Sequence, residues 1–262
     1  MRTIVIGDVH GCIDELHKLL DVVDVKESDR VILLGDLIDR GPYPAEVVSC
    51  ARRIRAKCVM GNHEEKALRW RRHEQRRKED PTHYKNPMSS IALDRLDQWR
   101  TIPDDHWDWM ATWPKFIHID DEWTGVHAGC MPHVAIEDQT PNELMRLRYV
   151  KCAKDAHGYE KYKMASLKDT GEPPDANPGE RIIHWTELWP GPRNIVYGHY
   201  VWDRVHFSSV GDTLTIGIDT GCVHGGNLTA LVFEKRGDST NIDVAQVKAD
   251  RVYSLRKPWN EE

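Results

Sequence analysis

The sequence predicts an α/β fold in which two β-sheets pack face to face and helices flank them. Two patterns carry that expectation. Over the first 64 residues, short apolar strands alternate with amphipathic helices, the pattern of a parallel sheet covered on both faces. From residue 122 onward, strand-like runs follow one another with few helices between them, as a second sheet packed on the first would require. A third pattern marks one edge of the fold as chemical: several apolar runs end on a glycine followed by an acid, an amide or a histidine.

Taken in order, TIVIGD (3–8) is a β-branched strand stopped by a glycine, and GCIDELHKLLDVV carries Ile13, Leu16, Leu20 and Val23 at helical spacing. RVILLGD (30–36) is a second strand. PAEVVSCARRIR (44–55) is a helix with Pro44 in its first turn. KCVMGNHE (57–64) is a third strand. Residues 65–115, rich in arginine and tryptophan, read as a helical cap inserted into one domain spanning 1–250. EWTGVHAG (122–129), NIVYGHY (194–200), TLTIGIDTG (213–221) and NLTALVFE (227–234) are the strands of the second half. A flexible loop is expected over about 153–180, centred on the Pro/Gly-rich DTGEPPDANPGE, and a C-terminal tail over 251–262 whose end, RKPWNEE, is loose.

Composition narrows the function classes. The 262 residues are 40% hydrophobic, enough for a sizeable core, and no apolar stretch nears the length that spans a membrane. The short apolar run at the N-terminus falls below that of a signal peptide, so a cytoplasmic protein is expected. A net charge of −6 argues against a general nucleic-acid binder. None of the six cysteines forms a C-x-x-C pair, which disfavours a zinc knuckle and favours free thiols, with Cys12 and Cys222 read as small packing residues. KALRWRRHEQRRK (66–78) is read as a solvated helix face, and the tryptophans at 70, 99, 107, 109, 113 and 123 as packing of the cap.

The three leading strand ends, at Asp8, Asp36 and Asn62, lie 28 and 26 residues apart, one βα unit each. Ligands of such sheets sit beyond the carboxyl ends of the strands. Asp8, His10, Asp36, Asp39, Asn62 and His63 therefore gather on one rim, and GVHAG (125–129) and YGHY (197–200) add His127 and His199. Carboxylates, imidazoles and an amide oxygen suit transition metals, and this set suffices for two ions sharing one bridging carboxylate.

These motifs, GDVHG (7–11), GDLIDRG (35–41), GNHE (61–64), GVHAG and YGH, resemble the calcineurin-like metallophosphoesterases, and the GDLIDRG and GNHE forms are similar to those of the phosphoprotein phosphatase (PPP) family, especially its small bacterial and phage members. The closing IDTGCVHGGNLTAL resembles the last strands of phage-lambda-type phosphatases, PrpE-type phosphatases and symmetrical diadenosine tetraphosphatases. The resemblance implies a metallophosphoesterase sandwich with Asp8 and His10 on a first metal, Asp36 bridging, and Asn62, His127 and His199 on a second. It implies two divalent ions, with Mn2+ as the working ion and Fe, Zn, Co or Ni compatible with the ligands, and water between them as the nucleophile. His63 matches the general acid, Asp39 the carboxylate that orients it, and Arg40 a phosphate clamp beside Asn62. A second clamp is expected in TPNELMRLRYV (140–150). Thr140 and Glu143 start a helix there as a capping box, and on that helix Arg146 and Arg148 point about 200° apart, so only one faces the site. Arg146 is the choice. His224, in CVHGG, is a possible border of the substrate pocket.

The implied activity is a two-metal phosphoesterase, first a serine/threonine-type phosphomonoesterase, with a dinucleoside polyphosphate hydrolase such as one for diadenosine tetraphosphate as the alternative. The substrate is accordingly a phosphorylated protein or a nucleotide. A metal-holding module without activity would be expected to lack His63, Asp39 or Arg40, and all three are present.

Overall fold

In the computed structural model, which describes residues 2–166, 173–237 and 239–255, the first strands are short because each must end where its loop turns to the rim. β1 (Arg2–Ile6) leads into α1 (Ile13–Val23), β2 (Arg30–Leu33) into α2 (Pro44–Arg53), and β3 (Lys57–Cys58) into α3 (Asn62–Glu79). β1 and β2 pair in parallel from Thr3 opposite Arg30, and β2 and β3 from Ile32 opposite Lys57. α4 (Leu93–Arg100) and α5 (Asp104–Met110) follow, then β4 (Phe116–His118), β5 (Trp123–Val126) and α6 (Pro141–Arg146). Eight strands complete the chain: β6 (Tyr149–Lys154), β7 (Glu160–Met164), β8 (Glu180–His184), β9 (Asn194–Tyr197), β10 (His206–Val210), β11 (Thr213–Gly217), β12 (Asn227–Arg236) and β13 (Ser239–Lys248), the last two pairing as an antiparallel hairpin.

Two five-stranded sheets, β13-β12-β1-β2-β3 and β10-β11-β9-β5-β4, form the sandwich. The strand period of two decides what each face meets. Ile4 and Ile6 of β1, with Val31 and Leu33 of β2, point to the helices and pack with Leu16, Leu19 and Val47. Val5 and Ile32 point the other way, into a core shared with Ile117, Trp123, Val196 and Ile216 of the second sheet. Burial on both faces is why these strands read as unbroken apolar runs rather than alternating ones. The expected cap region holds α3, α4 and α5, with Trp99, Trp107, Met110 and Trp113 buried among them. Arg71 of the basic run pairs with Asp104 at 2.7 Å and lies over the Trp107 ring.

The region expected as a loop over 153–180 differs. β6, β7 and β8 make a third sheet in the order β7-β6-β8. β7, EKYKM, escapes a reading by hydrophobic alternation because neither of its faces is fully buried. Residues 167–172 of that loop lie outside the described residues, as do 256–262 of the expected tail. The tail's described beginning is docked: the Tyr253 and Ser254 amides donate to the Val223 carbonyl at 3.0 Å, and the Tyr253 hydroxyl donates to Glu15 at 2.8 Å. All six cysteines are buried free thiols. Among the described residues, no helix is long and apolar enough to cross a membrane.

Candidate metal centre and active site

Five loops meet at the carboxyl ends of parallel strands. They carry Asp8 and His10 after β1, Asp36, Asp39 and Arg40 after β2, Asn62 and His63 at the start of α3, His127 after β5 and His199 after β9. The loops are tied to one another through the backbone. The His10 amide donates to the Asp36 carbonyl at 2.8 Å, the Gly11 amide to Leu37 at 2.8 Å, and the Gly198 amide to His127 at 2.8 Å. Of the eight non-glycine residues with positive φ among the described residues, five belong to this rim: His10, Asp36, Asp39, Arg40 and His199. Each costs about 1–3 kcal/mol and persists because the surrounding loops over-determine it. The turns aim these side chains at one point rather than along the strand faces.

Gly61 is the stop after β3 because a Cβ there would collide with the Asp36 carboxylate and amide, and Gly198 is required because a Cβ would land on the Asp8 carboxylate. Both glycines let backbone pass beside a carboxylate that has to stay in place.

Asp36 is the hub. Its Oδ1 accepts from the His63 amide at 3.1 Å and lies 3.4 Å from His127 Nε2, while its Oδ2 lies 3.6 Å from His10 Nε2 and 3.8 Å from His63 Nε2. One carboxylate thus faces two imidazole sets with its two oxygens, the arrangement of a bridging ligand. His10 Nδ1 donates to the Ile38 carbonyl at 2.9 Å and His127 Nδ1 to the Leu34 carbonyl at 2.7 Å, so each ring turns its Nε2 lone pair to the centre. His127 Nε2 is 2.9 Å from Asn62 Oδ1. Asp8 takes the His199 amide on its two oxygens at 3.0 and 3.2 Å. The ligand atoms of His10, Asp36 and His63 lie within 4.8 Å of one another, as do those of Asp36, His127 and His199.

Burial and mutual contact shift the ionisable groups of the rim strongly. Burial and the neighbouring Asp219 push the Asp8 carboxyl well above the usual range. Burial and Arg40 push His10 well below the usual imidazole value. Burial works to raise Asp36, but His127 and His63 more than offset it and hold it low. Burial likewise works to lower His127, and Asp36 overrides it to hold the ring up to about 9. Carboxylate, amide and imidazole donors converging in a buried site fit divalent metal ions.

His63 and Asp39 form a buried pair, Nδ1 to Oδ2 at 2.6 Å. Asp39 is held from the cap: the Trp99 indole N–H donates to its Oδ1 at 2.5 Å, and Arg95 Nε lies 3.5 Å from its Oδ2. Trp99 therefore fixes the His63–Asp39 pair as well as packing the cap, a contact carried across 60 residues of sequence and invisible to periodicity.

The structure separates the two candidate arginines, Arg146 pairing with Glu65 and Arg148 lying against His199. α6 ends at Arg146, and Leu147 is already extended, so the helical argument that set Arg146 against Arg148 does not apply beyond that point. Arg146 turns out to Glu65, Nη2 to Oε2 at 2.7 Å. Arg148 is 4% exposed, and its Nε lies 3.1 Å from His199 Nε2. Arg40 Nη1 lies 3.2 Å from His10 Nε2 and 3.4 Å from His224 Nε2, while His224 Nδ1 donates to the Ser254 carbonyl at 2.7 Å. His224 thus stands behind the Arg40 guanidinium.

Two further residues went unread. Asp219 follows β11 by the same apolar-run-then-acid signal and is buried beside Asp8. Glu64, fully buried, accepts the amides of Asp36 at 2.9 Å, Leu37 at 2.7 Å, Ile38 at 3.2 Å and Gly61 at 3.2 Å. It holds the whole Asp36 loop. Glu64→Ala should lower stability by about 3 kcal/mol or more in urea unfolding, because four buried amides lose their acceptor, whereas Glu64→Gln should lose less.

The calcineurin-like phosphoesterase family model matches residues 1–175. The symmetrical bis(5'-nucleosyl)-tetraphosphatase of Vibrio parahaemolyticus is 26% identical over 90% of this chain and 97% of its own length. The protein of that name from Erwinia tasmaniensis is 30% identical over 90% of this chain and 95% of its own. A solved structure carrying a provisional diadenosine tetraphosphatase name matches with a TM-score of 0.68 and 27% identity, over 95% of this chain and 93% of the other. A metallophosphoesterase structure from Sphaerobacter thermophilus shares the fold, with a TM-score of 0.53 at 16% identity over 95% of this chain and 89% of its own.

Proposed function

This chain belongs to the calcineurin-like phosphoesterase family, and from that premise we propose that it hydrolyses dinucleoside polyphosphates, with diadenosine tetraphosphate as the type substrate. It is a hydrolase of phosphate esters or anhydrides. The observation that carries the finer reading is coverage: proteins named for symmetrical tetraphosphate cleavage align over nine-tenths of this chain, through the closing strands as well as the metal motifs. The phosphomonoesterase reading, favoured by GDLIDRG and GNHE taken alone, becomes the second one.

Two divalent ions, held by Asp8, His10, Asp36, Asn62, His127 and His199, would neutralise phosphate charge and acidify the attacking water. Arg40 and Arg148 bind the non-bridging oxygens of the phosphate, and a planar guanidinium suits that task. Asp39 holds Nδ1–H of His63, which presents Nε2 to the departing oxygen. Burial keeps the His63 ring below its usual proton affinity, so a proton on it is readily given up.

The test compares diadenosine tetraphosphate with a phosphoserine peptide in one Mn2+ buffer. ADP is expected as the dinucleotide product, formed with the larger kcat/KM. Faster release of phosphate from the peptide would overturn the dinucleotide reading in favour of the second one.

A further inference from the structure

Arg148 is followed directly by Tyr149, and His199 by Tyr200. The two residues on the phosphate side of the centre each continue into an aromatic ring, and the two rings meet. Their hydroxyl oxygens are 3.1 Å apart and their ring centroids 6.2 Å apart at 80°. Trp202 extends the group, 4.5 Å from Tyr200 at 45°, and stacks on His206 at 3.7 Å with the planes 3° apart.

The cluster has two layers. Trp185 and Tyr197 beneath it are fully buried and belong to the third core. His184 lies among the rings, 5.1 Å from Tyr200 and 5.3 Å from Trp202, and burial pushes it down to about 3, so it packs as a neutral ring. Core packing accounts for that inner layer. The outer layer, Tyr149, Tyr200, Trp202 and His206, is only half-buried, and Tyr200 lies close enough to Arg148, itself 3.1 Å from His199, to act on the charge of its guanidinium. Aromatic faces next to a phosphate site are what a nucleotide needs. A base stacks on them whatever its hydrogen-bonding edge, and tyrosine and tryptophan offer the surface at little cost in side-chain freedom.

We propose that Tyr200, flanked by Tyr149 and Trp202, forms the nucleobase subsite of this centre, on which the base stacks while Arg148 holds the attached phosphate. The inference deepens the dinucleotide reading above and rests on it for the identity of the substrate. The subsite reads the face of the base, so it accepts adenine and guanine nucleotides alike.

The experiment measures inhibition of p-nitrophenyl phosphate hydrolysis by ADP and by pyrophosphate at fixed free Mn2+, in wild type and in Tyr200→Ala, Tyr200→Phe and Trp202→Ala. The ratio of the two inhibition constants within each protein is the readout, so a change in overall activity does not enter. ADP is expected to bind about tenfold more tightly than pyrophosphate in wild type, within the range that loss of one base–aromatic stack covers. Tyr200→Ala should bring the ratio close to one, Tyr200→Phe should keep it, and Trp202→Ala should lower it by a smaller factor. A wild-type ratio near one, or a ratio unchanged in both alanine variants, overturns the subsite. Failure to cleave diadenosine tetraphosphate with the ADP preference intact would remove the substrate assignment and leave the subsite standing. Cleavage of the dinucleotide with the ratio unmoved by Tyr200→Ala would do the reverse.

Discussion

Asp36→Asn is expected to lower kcat/KM by more than about 10³-fold on every phosphate substrate and to leave at most one tightly held divalent ion per chain. Asp36 is the residue whose two oxygens face both imidazole sets, His127 on one side and His10 and His63 on the other. An amide of the same shape keeps one oxygen and loses the charge, so it can serve one ion and not two. The loss would also appear without metal. In metal-stripped wild type, Asp36 holds His127 up to about 9. That folded value lies above the value of about 6.5 for an unfolded histidine, so the pair stabilises fully below that pH and its contribution disappears as the pH rises through about 9. Metal-stripped Asp36→Asn should show His127 titrating closer to the ordinary imidazole range by NMR, and its stability should fall less across that window. Full activity with two bound ions in the variant would refute the bridging role.

How far this centre could be read in advance depended on whether a signal was local. The strand ends at Asp8, Asp36 and Asn62 were legible because period and punctuation agree within a few residues, and the structure brings them to one rim. Gly61 could be recognised as a stop, though its reason, the Asp36 carboxylate against its Cα, is a contact across 25 residues. The choice between Arg146 and Arg148 depended on where α6 ends, and helix ends are the least certain feature of a pattern. β7 was missed because a strand on a small, half-exposed sheet has no buried face to imprint on its sequence. Trp99 and Glu64 hold Asp39 and the Asp36 loop from elsewhere in the chain, and their types, a tryptophan in a tryptophan-rich cap and a glutamate in the first turn of a helix, look like ordinary scaffold. The supporting residues of a site are harder to read than the site because their partners are distant in sequence and their chemistry is common.

His63→Asn should separate the two substrate readings, because the need for an acid depends on the leaving group. Cleavage of a phosphoserine ester expels an alkoxide, a strong base that must receive a proton as the bond breaks. A positioned general acid contributes about 10²–10⁴-fold in such a step. Cleavage of a dinucleoside tetraphosphate between its central phosphates expels ADP, a far weaker base that departs with less help. The variant should therefore lose about 10³-fold in kcat on an alkyl phosphate and only about tenfold on diadenosine tetraphosphate. Asparagine keeps a polar group against Asp39, limiting the disturbance of a carboxylate that Trp99 and Arg95 also hold. Asp39→Asn should follow the same ranking with smaller factors, since it orients the ring and does not carry the proton. Equal losses on both substrates would mean that His63 acts on the phosphate or the ions rather than on the departing oxygen. Its Nε2, 3.8 Å from Asp36 Oδ2, would then belong to the metal set formed with His10 and Asp36.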